Sequence, residues 1–272
     1  MTYSIPESTT PSTSSDLGSW HSMRAESADL SDSDRPSDGH CEKCGAVTHS
    51  FLRPAFLGLP AKWYQAPSLC GRCLQEESAK GVVKMRQERI ERFTRASRFP
   101  PDLSAYTFAN FQISPKQARA FRVAADYELD STGKGIIFCG PCGVGKTHLA
   151  LAIANKFFGS RTVMFISCPE FLVTMRDFSN SRQVPDLLPI AKSAELLILD
   201  DIGAEKPSEW VREVLFVLID HRQVYKLPTI FTTNCSMSEI SQRLGDRIAS
   251  RIAGMCLCVA VEGDDWRLKK KN

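Results

Sequence analysis

The sequence predicts an α/β fold, in which a parallel sheet of about five strands is covered by helices on both faces. Five short apolar runs recur in the second half of the chain, and their length and composition suit strands buried on both sides. Helical stretches separate these runs, and parallel strands require such crossovers. The apolar runs are residues 135–139, 162–167, 195–201, 228–234 and 256–262, and the helical stretches are residues 147–158, 169–178, 185–194, 208–226 and 237–253.

The composition allows one ordinary domain and a small accessory one. The chain has 272 residues, of which 43% are hydrophobic and 24% charged, enough to bury a sizeable core. No apolar run approaches the ~20 residues that span a bilayer, and the first residues lack the basic start and apolar stretch of a secretion signal. We therefore expect a cytoplasmic protein with no membrane partner, whose ten cysteines serve as thiols or metal ligands rather than as a disulfide framework.

Composition changes along the chain predict its domain organisation. The first forty residues are dominated by Ser, Thr, Pro and Asp and carry seven acids against two bases, so we predict that they are disordered. A helical, basic stretch later ends at Pro100-Pro101, since proline cannot continue a helix. The predicted segments are a disordered tail (1–40), a cysteine module (41–73), a basic helical connector (74–99), the α/β domain (100–268) and a basic tail (269–272).

The cysteine module contains two C-x-x-C pairs separated by twenty-five residues. It is too small to fold on apolar burial alone, and a metal would supply the missing stability. This spacing is typical of a tetrahedral zinc ribbon with a structural role, because four protein ligands leave no open position for water. His40 or His49 as a substitute ligand is an alternative, and a disulfide is disfavoured by the expected compartment. The predicted zinc ligands are Cys41, Cys44, Cys70 and Cys73.

The stretch FCGPCGVGKTH (138–148) has two incompatible interpretations. Cys139 and Cys142 form the C-x-x-C of a thiol redox centre, whereas residues 140–147 form the G-x-x-x-x-G-K-T of a phosphate loop. In a phosphate loop, glycines let backbone N–H groups surround phosphate oxygens, Lys146 reaches the β- and γ-phosphates, and Thr147 binds Mg²⁺. The redox interpretation leaves Lys146 unexplained, so the sequence favours a nucleotide site.

Carboxylates at the end of the run LLILDD supply what a phosphate loop needs next. We expect Asp200 to hold Mg²⁺ through water and Asp201 to polarise the attacking water. Asn234 ends the following run, where its amide would contact the γ-phosphate or that water. The alternatives are that Asp201 caps a turn and that Asn234 caps the next helix.

Arg247 and Arg251 are four residues apart and share one helix face. An arginine delivered to a neighbour's γ-phosphate stabilises transition-state charge, and the alternative is a solvated basic face. No N-K-x-D pattern for guanine follows the loop, so adenine is the expected base.

Together these motifs resemble the DnaC/DnaI-type helicase loaders and their relative IstB, within the AAA+ ATPases. The resemblance rests on GPCGVGKTHLA, LLILDDIGAE, FTTN and GDRIASRI…DWR in this order, and on the lead-in SRFPPDLSAYTFANF. It covers roughly residues 100–268 and implies an AAA+ P-loop NTPase core. Only five residues follow Arg267, too few for the helical lid of most AAA+ proteins, so we expect no C-terminal lid domain.

The resemblance also implies roles for single residues. Asp200 and Asp201 correspond to the metal and water carboxylates. Many AAA+ proteins have Glu in place of Asp201, although Asp occurs there in this family. The Ser of a terminal Ser-Tyr-Arg-like signature is Asp264 or Asp265 here, followed by Arg267. Asn234 corresponds to the first sensor, Arg251 to the arginine finger and Arg247 to its neighbour. The implied nucleotide-binding loop comprises Gly140, Pro141, Cys142, Gly143, Val144, Gly145, Lys146, Thr147 and His148.

We therefore expect a slow, switch-like ATPase with ATP, Mg²⁺ and Zn²⁺ as cofactors. As a loader, it would bind a replicative ring helicase through the N-terminal module, bind single-stranded DNA, and self-associate through the arginine finger. Alternatives are an IstB-like transposition helper that binds duplex DNA, a thiol oxidoreductase, and a zinc adaptor with an inactive core. Within the module, Lys62, Trp63 and Tyr64 either pack over the zinc site or form a stacking surface for single-stranded DNA.

Overall fold

The computed structural model describes residues 32–55, 59–178 and 187–269. The chain separates into two compact units, Met1–Val83 and Lys84–Asn272. Most of the predicted disordered tail, residues 1–31, and most of the predicted basic tail, residues 270–272, lie outside the described residues. Within the described part, no helix is both long enough and apolar enough to cross a bilayer.

The first unit is built from two short antiparallel ribbons and the start of a long helix. Its described part opens with a 3-10 turn at Asp32–Asp34, and the helix α1 (Gly71–Ala96) begins three residues earlier than predicted. The second C-x-x-C pair therefore lies at the start of this helix. The predicted boundary at residue 40 also shifts, because β1 already pairs with β2 just before the first cysteine. The four strands are β1 (Gly39–His40), β2 (Val47–Thr48), β3 (Phe51–Arg53) and β4 (Lys62–Tyr64).

The second unit contains a five-stranded sheet in which every pairing is parallel. The strands lie in the order β6-β7-β8-β5-β9. Each lies within the predicted apolar run and is at most two residues shorter, so the predicted parallel sheet is confirmed. The strands are β5 (Gly135–Cys139), β6 (Val163–Ser167), β7 (Leu196–Asp200), β8 (Thr229–Thr233) and β9 (Cys256–Ala260).

Alternate side chains of these strands enter two different cores. Ile137, Leu199 and Phe231 belong to one buried cluster, whereas Ile136 and Phe138 belong to the other. Successive side chains of a strand point to opposite faces, so a run without alternating polar residues is buried on both sides. Four of the five apolar runs are explained by this two-sided packing. The expectation is wrong for the fifth run, because β9 lies at the edge of the sheet and Val259 is the only fully buried residue of this strand.

Helices cover both faces of the sheet, and one of them was predicted wrongly. The expected single helix 237–253 is two helices, because Gly245 has a φ of 98°, closes the first with a bond to the Ser241 carbonyl, and precedes the second. Helices α2 and α9 were not predicted. The helices of this unit after α1 are α2 (Ala118–Ala125), α3 (Lys146–Phe157), α4 (Cys168–Phe178), α5 (Leu187–Ser193), α6 (Glu209–Val224), α7 (Met237–Leu244), α8 (Asp246–Met255) and α9 (Trp266–Lys269).

Strand order brings the chemically active segments together. Because β8 lies between β7 and β5, the carboxyl ends of these three strands are neighbours at one edge of the sheet. These ends carry Asp200, Asn234 and the glycine-rich loop that leads into α3. Ligands of open parallel sheets bind at this edge, so the topology marks the position of the site.

Candidate functional site

The loop between β5 and α3 requires its glycines. Gly143 and Gly145 have φ values of 74° and 94°, in the left-handed region that glycine adopts without strain. A Cβ at Gly140 would overlap the carbonyl oxygen of Val261, so a side chain does not fit there. Val144 is fully buried, and its carbonyl accepts a 2.7 Å bond from Gln117 Nε2. The loop is thus a fixed turn that brings backbone N–H groups to the start of a helix. Anions bind to this arrangement in proteins.

Lys146 is folded into the rim of this loop. Its ammonium donates to the carbonyls of Gly140 (2.8 Å) and Pro141 (2.7 Å) and to Asn234 Oδ1 (2.6 Å). Burial lowers the pKa of Lys146 below that of a free lysine. Two residues that are far apart in the sequence, Lys146 and Asn234, thus meet directly at the mouth of the loop.

The alternative role for Asn234 belongs to another residue. Ser236 caps α7, accepting a bond from the Glu239 N–H, and the Glu239 carboxylate in turn accepts from the Ser236 N–H. Because Ser236 fills the capping position, the Asn234 amide is left to contact Lys146.

Thr147 and Asp200 form the second contact across the site. The Thr147 hydroxyl donates to Asp200 Oδ1 (2.9 Å), which also accepts from the Thr232 hydroxyl (2.6 Å). Burial raises the pKa of Asp200, and the hydrogen bonds from Thr232 and Thr147 oppose this shift. A hydroxyl and a carboxylate in contact are hard oxygen donors of the type that Mg²⁺ prefers, so this pair fits a magnesium site.

Asp201 follows the strand in an unusual backbone conformation. Its φ is 57°, which few residues other than glycine adopt and which often marks a functional site. Its N–H donates to the Thr232 hydroxyl at 2.9 Å. Asp201 thereby lines the same cavity, of about 400 Å³, as the predicted residues of the loop. The lining comprises Tyr106, Cys142, Gly143, Gly145, Lys146, Thr147, His148, Asp200, Asp201, Asn234 and Arg267.

A second, larger cavity adjoins the first and was missed by the sequence analysis. It has a volume of about 880 Å³ and shares Tyr106, Gly143, Gly145 and His148 with the smaller cavity. Aromatic side chains of Tyr106 and Phe111 line it, and both rings contact His148. Both residues belong to the aromatic segment SAYTFANF (104–111), but the sequence alone does not show that this segment lies beside the phosphate loop. A roomy aromatic cavity next to an anion site suits a nucleobase.

The terminal segment completes these two cavities. The Trp266 N–H donates to the Gly143 carbonyl at 3.1 Å, and the Trp266 side chain lines the larger cavity. The Asp265 carboxylate lies against Gly143, where it occupies the space that a Cβ would need. Of the two candidates for the signature serine position, Asp265 is therefore the residue at the loop. Arg267 also lines the smaller cavity.

Arg247 and Arg251 lie away from both cavities. They line a separate surface pocket of about 440 Å³, together with Phe216 and Gln223 of α6. Arg251 pairs with Asp220 (2.6 Å) and donates to Gln223 Oε1 (2.6 Å). Both arginines also lie over the Phe216 ring. We call Phe216, Asp220, Gln223, Arg247 and Arg251 the arginine face.

Cys139 has a different neighbour from the one its C-x-x-C spacing suggests. Its Sγ lies 3.7 Å from that of Cys258 on the adjacent strand β9, while Cys142 is exposed in the loop. Burial raises the pKa of Cys139 to about 12. A thiol with a raised pKa is a poor nucleophile, which argues against the redox interpretation and for the phosphate loop.

The four cysteines of the first unit meet at one point. Their Sγ atoms lie within 4.8 Å of one another, and Cys41 and Cys73 are buried. Backbone N–H groups, foremost that of Cys70, lower the pKa of Cys41 to about 6, whereas burial raises the pKa of Cys73 to about 12. Among the described residues the cluster contains no histidine, and His49 pairs with Asp38 instead. This sulfur set fits tetrahedral Zn²⁺.

Comparison with known proteins gives the chain's relatives. The family described as "IstB-like ATP binding protein" matches residues 68–272. The replicative helicase loader DnaI of Bacillus subtilis (strain 168) is 30% identical over 219 residues, covering 72% of this chain and 70% of that protein. The replicative helicase loader DnaC of Escherichia coli (strain K12) is 32% identical over 168 residues, covering 59% and 69%. A putative ATP-binding protein of insertion sequence IS232, from Bacillus thuringiensis, is 33% identical over 142 residues, covering 50% and 56%.

Solved structures agree with this result. The crystal structure of DnaI matches with a TM-score of 0.53 at 26% identity, covering 61% of this chain and 93% of that chain. The crystal structure of the DnaC helicase loader matches with a TM-score of 0.54 at 24% identity, covering 60% and 100%, and shows the fold alone. The predicted AAA+ P-loop core and the predicted resemblance are confirmed.

Proposed function

The chain belongs to the IstB-like ATP-binding protein family, and we propose that it is an ATP-dependent loader that places a replicative ring helicase on single-stranded DNA. The observation that carries the ATP-dependent part is the joint placement of Lys146, Thr147, Asp200, Asp201 and Asn234 around one cavity. The loading role is supported by the relatives, which are themselves named replicative helicase loaders.

In this proposal each group of the smaller cavity has one task. Lys146 contacts the β- and γ-phosphates and leaves its present acceptors, the carbonyls of Gly140 and Pro141. Thr147 and Asp200 hold Mg²⁺, which would supply Lewis-acid stabilisation of phosphate charge. Asp201 orients the attacking water, and Asn234 contacts the γ-phosphate or that water. Arg267 adds a cation to the same cavity.

The larger cavity would hold the adenine base. Tyr106 and Trp266 supply aromatic surface, and the backbone around Gly143 and Gly145 joins this cavity to the phosphate loop. Apolar and aromatic contacts of this kind bind a base without reading a guanine-specific pattern.

Hydrolysis would need a second copy of the chain. Arg251 lies on a surface pocket that shares no residue with the nucleotide cavities, so its guanidinium serves a neighbour's γ-phosphate rather than its own chain's. An arginine finger of this kind contributes about 10³–10⁵ to kcat. Turnover is therefore slow in the isolated chain, and ATP acts as a switch.

The cysteine module (residues 41–73) would bind the helicase. Its hairpin β3–β4 places Phe51 against Tyr64 in a stacked pair, with Lys62 over the Tyr64 ring. Trp63 lies on the opposite face of this hairpin, because side chains alternate along a strand. Tyr64 and Lys62 are thus available to a partner, while Trp63 is half-buried.

Coprecipitation of the replicative helicase by the full chain tests this proposal, with ATP, with ADP and without nucleotide. We expect wild type to retain the helicase in a nucleotide-dependent way and Lys146→Ala to lose this dependence. Cys41→Ser/Cys44→Ser is expected to lose zinc and helicase binding while keeping ATP affinity, because the residues that line the two nucleotide cavities all belong to the second unit. His49→Ala serves as the matched control, since its side chain lies outside the cysteine cluster. Failure of wild type to bind the helicase in every nucleotide state contradicts the loading role.

The second candidate is a transposition helper that binds duplex DNA. It is supported by the match to the IS232 protein, although that match covers only half of this chain. Fluorescence anisotropy with labelled single-stranded and duplex oligonucleotides, at one salt concentration and with ATP, separates the two. A loader prefers the single strand, and clear preference for the duplex favours the transposition helper.

A further inference from the structure

Three side chains of α6 form one face that contacts α8. Phe216, Asp220 and Gln223 are spaced by four and three residues, which places them on the same side of the helix. They face Arg247 and Arg251, which are one turn apart on α8. The arginine face is thus built by two helices and not by the arginines alone.

Arg251 is held at three points of this face. Its Nη2 pairs with Asp220 Oδ1 at 2.6 Å, its Nη1 donates to Gln223 Oε1 at 2.6 Å, and its guanidinium lies 5.4 Å from the centre of the Phe216 ring. Among the described residues, Arg247 shows only the contact with the Phe216 ring, at 5.8 Å. The two arginines therefore differ in how firmly their side chains are placed.

The contacts of Arg251 leave donors for another acceptor. A guanidinium carries five N–H groups in a fixed plane; one of them donates to Gln223 Oε1, and Nη2 forms the ion pair with Asp220. The side chains of Arg251 and Asp220 remain 37% and 33% exposed, so solvent, or a second molecule, reaches the pair. A free arginine side chain has many rotamers, and these contacts with Asp220, Gln223 and Phe216 restrict the Arg251 side chain before any partner binds.

Helix α6 is itself a firm support. Arg222, two residues beyond Asp220, is fully buried and donates to the backbone carbonyls of Ala191 (2.8 Å), Ala194 (2.9 Å) and Pro228 (2.6 Å). These bonds join α6 to the end of α5 and to the segment before β8. Functional groups carried by rigid elements are placed more accurately than groups on loops.

We propose that Asp220 is a positioning residue for hydrolysis, which with Gln223 holds Arg251 in the conformation that it presents to the nucleotide of a second copy of this chain. This inference rests on the proposed function, because it takes Arg251 as the finger. The clamp supplies orientation in advance, and correct orientation of a reacting group lowers an activation barrier without changing ground-state binding. It also explains why Arg251 rather than Arg247 acts as the finger.

The test compares Asp220→Ala, Asp220→Asn and Arg251→Ala in the full chain, with kcat for ATP hydrolysis and ATP affinity measured for each. We expect Asp220→Ala to lower kcat by about tenfold or more, with ATP affinity within about twofold of wild type because the nucleotide cavities lie elsewhere. Asp220→Asn keeps an acceptor oxygen and is expected to retain an intermediate kcat. The matched control is Glu213→Ala, an exposed acid on the same helix that is expected to leave both quantities unchanged.

Mixing distinguishes positioning from a general structural defect. Asp220→Ala retains an intact nucleotide cavity, and Lys146→Ala retains an intact arginine face. A mixture of the two is therefore expected to hydrolyse ATP faster than the sum of the separate proteins. If Asp220→Ala instead disturbed its own nucleotide cavity, adding Lys146→Ala would not increase ATP hydrolysis.

The possible results distinguish the positioning role of Asp220 from the finger role of Arg251 on which it rests. If Arg251→Ala hydrolyses ATP as fast as wild type, the finger of the proposed function fails. If Arg251→Ala is slow while Asp220→Ala equals or exceeds wild type, the finger stands and the positioning role of Asp220 is overturned. A slow Asp220→Ala that no mixture with Lys146→Ala rescues also overturns it.

Discussion

The nucleotide cavity and the arginine face are built in opposite ways. Lys146 and Asp200 are only 5% and 8% exposed, and hydrogen bonds between the start of α3 and the strand ends connect Lys146 to Asn234 and Thr147 to Asp200. The side chain of Arg251 is 37% exposed, and its guanidinium lies beside one acid, Asp220. The first region is assembled within one chain, whereas the second presents a cation outward. In our proposal, one chain therefore binds ATP with its own residues but hydrolyses it only with a partner.

The largest effect is expected from Lys146→Ala, which removes the central cation of the nucleotide cavity. ATP affinity should fall by more than about 100-fold, since a charge-assisted phosphate contact in a buried site is lost. Calorimetric titration with ATP and Mg²⁺ measures the change. Lys156→Ala, at the other end of α3, is the control and should bind ATP normally. Equal affinities of wild type and Lys146→Ala contradict the assignment of the cavity.

Asp201→Ala should separate binding from chemistry within the cavity. We expect ATP affinity within about twofold of wild type and kcat lower by about 10²-fold, because a group that activates water acts in the transition state. Asp201→Glu restores a carboxylate with longer reach and should recover part of the activity. Single-turnover hydrolysis with saturating protein provides the measurement. Loss of ATP binding in Asp201→Ala, with the fold intact, shows a ground-state role instead.

Trp266→Ala should have a smaller effect, confined to the base. Removing one stacking surface costs about 1 kcal/mol, or several-fold in ATP affinity. Inorganic tripolyphosphate, which lacks a base, is the control ligand and should bind both proteins equally. A parallel loss of tripolyphosphate affinity would show that Trp266 supports the phosphate loop, through its bond to Gly143, rather than the base.

The smallest effect is expected from Cys139→Ser/Cys142→Ser, which should bind ATP as wild type does under reductant. Neither thiol has a role in the proposed chemistry, and the Cys139 thiol lies beside Cys258 rather than Cys142. ATP affinity under reductant and under oxidant, with zinc content monitored, provides the comparison. A folded double-serine protein that no longer binds ATP would reveal a role for these cysteines in the nucleotide site.

The sequence predicts the nucleotide cavity far better than the arginine face. Apolar runs that form buried strands can be recognised without knowing which segments they contact. The glycines and Lys146 of the loop likewise form one local sequence pattern. The pairing of Arg251 with Asp220 joins residues on two helices and leaves no local signal. The larger cavity is equally hard to predict, because residues that are distant in the sequence, among them Tyr106 and Trp266, line it together. The break at Gly245 was missed because both helices that it separates continue the amphipathic pattern.

Mixing Arg251→Ala with Lys146→Ala shows whether ATP hydrolysis is completed between two chains. Each protein alone should be nearly inactive, the first for lack of a finger and the second for lack of bound ATP. In an equal mixture about one quarter of the contacts between neighbours pair an intact nucleotide cavity with an intact arginine face. The account predicts that ATP hydrolysis by the mixture exceeds the sum of the separate activities and rises with protein concentration. If no ratio of the two proteins exceeds that sum, while wild type hydrolyses ATP, the claim is contradicted.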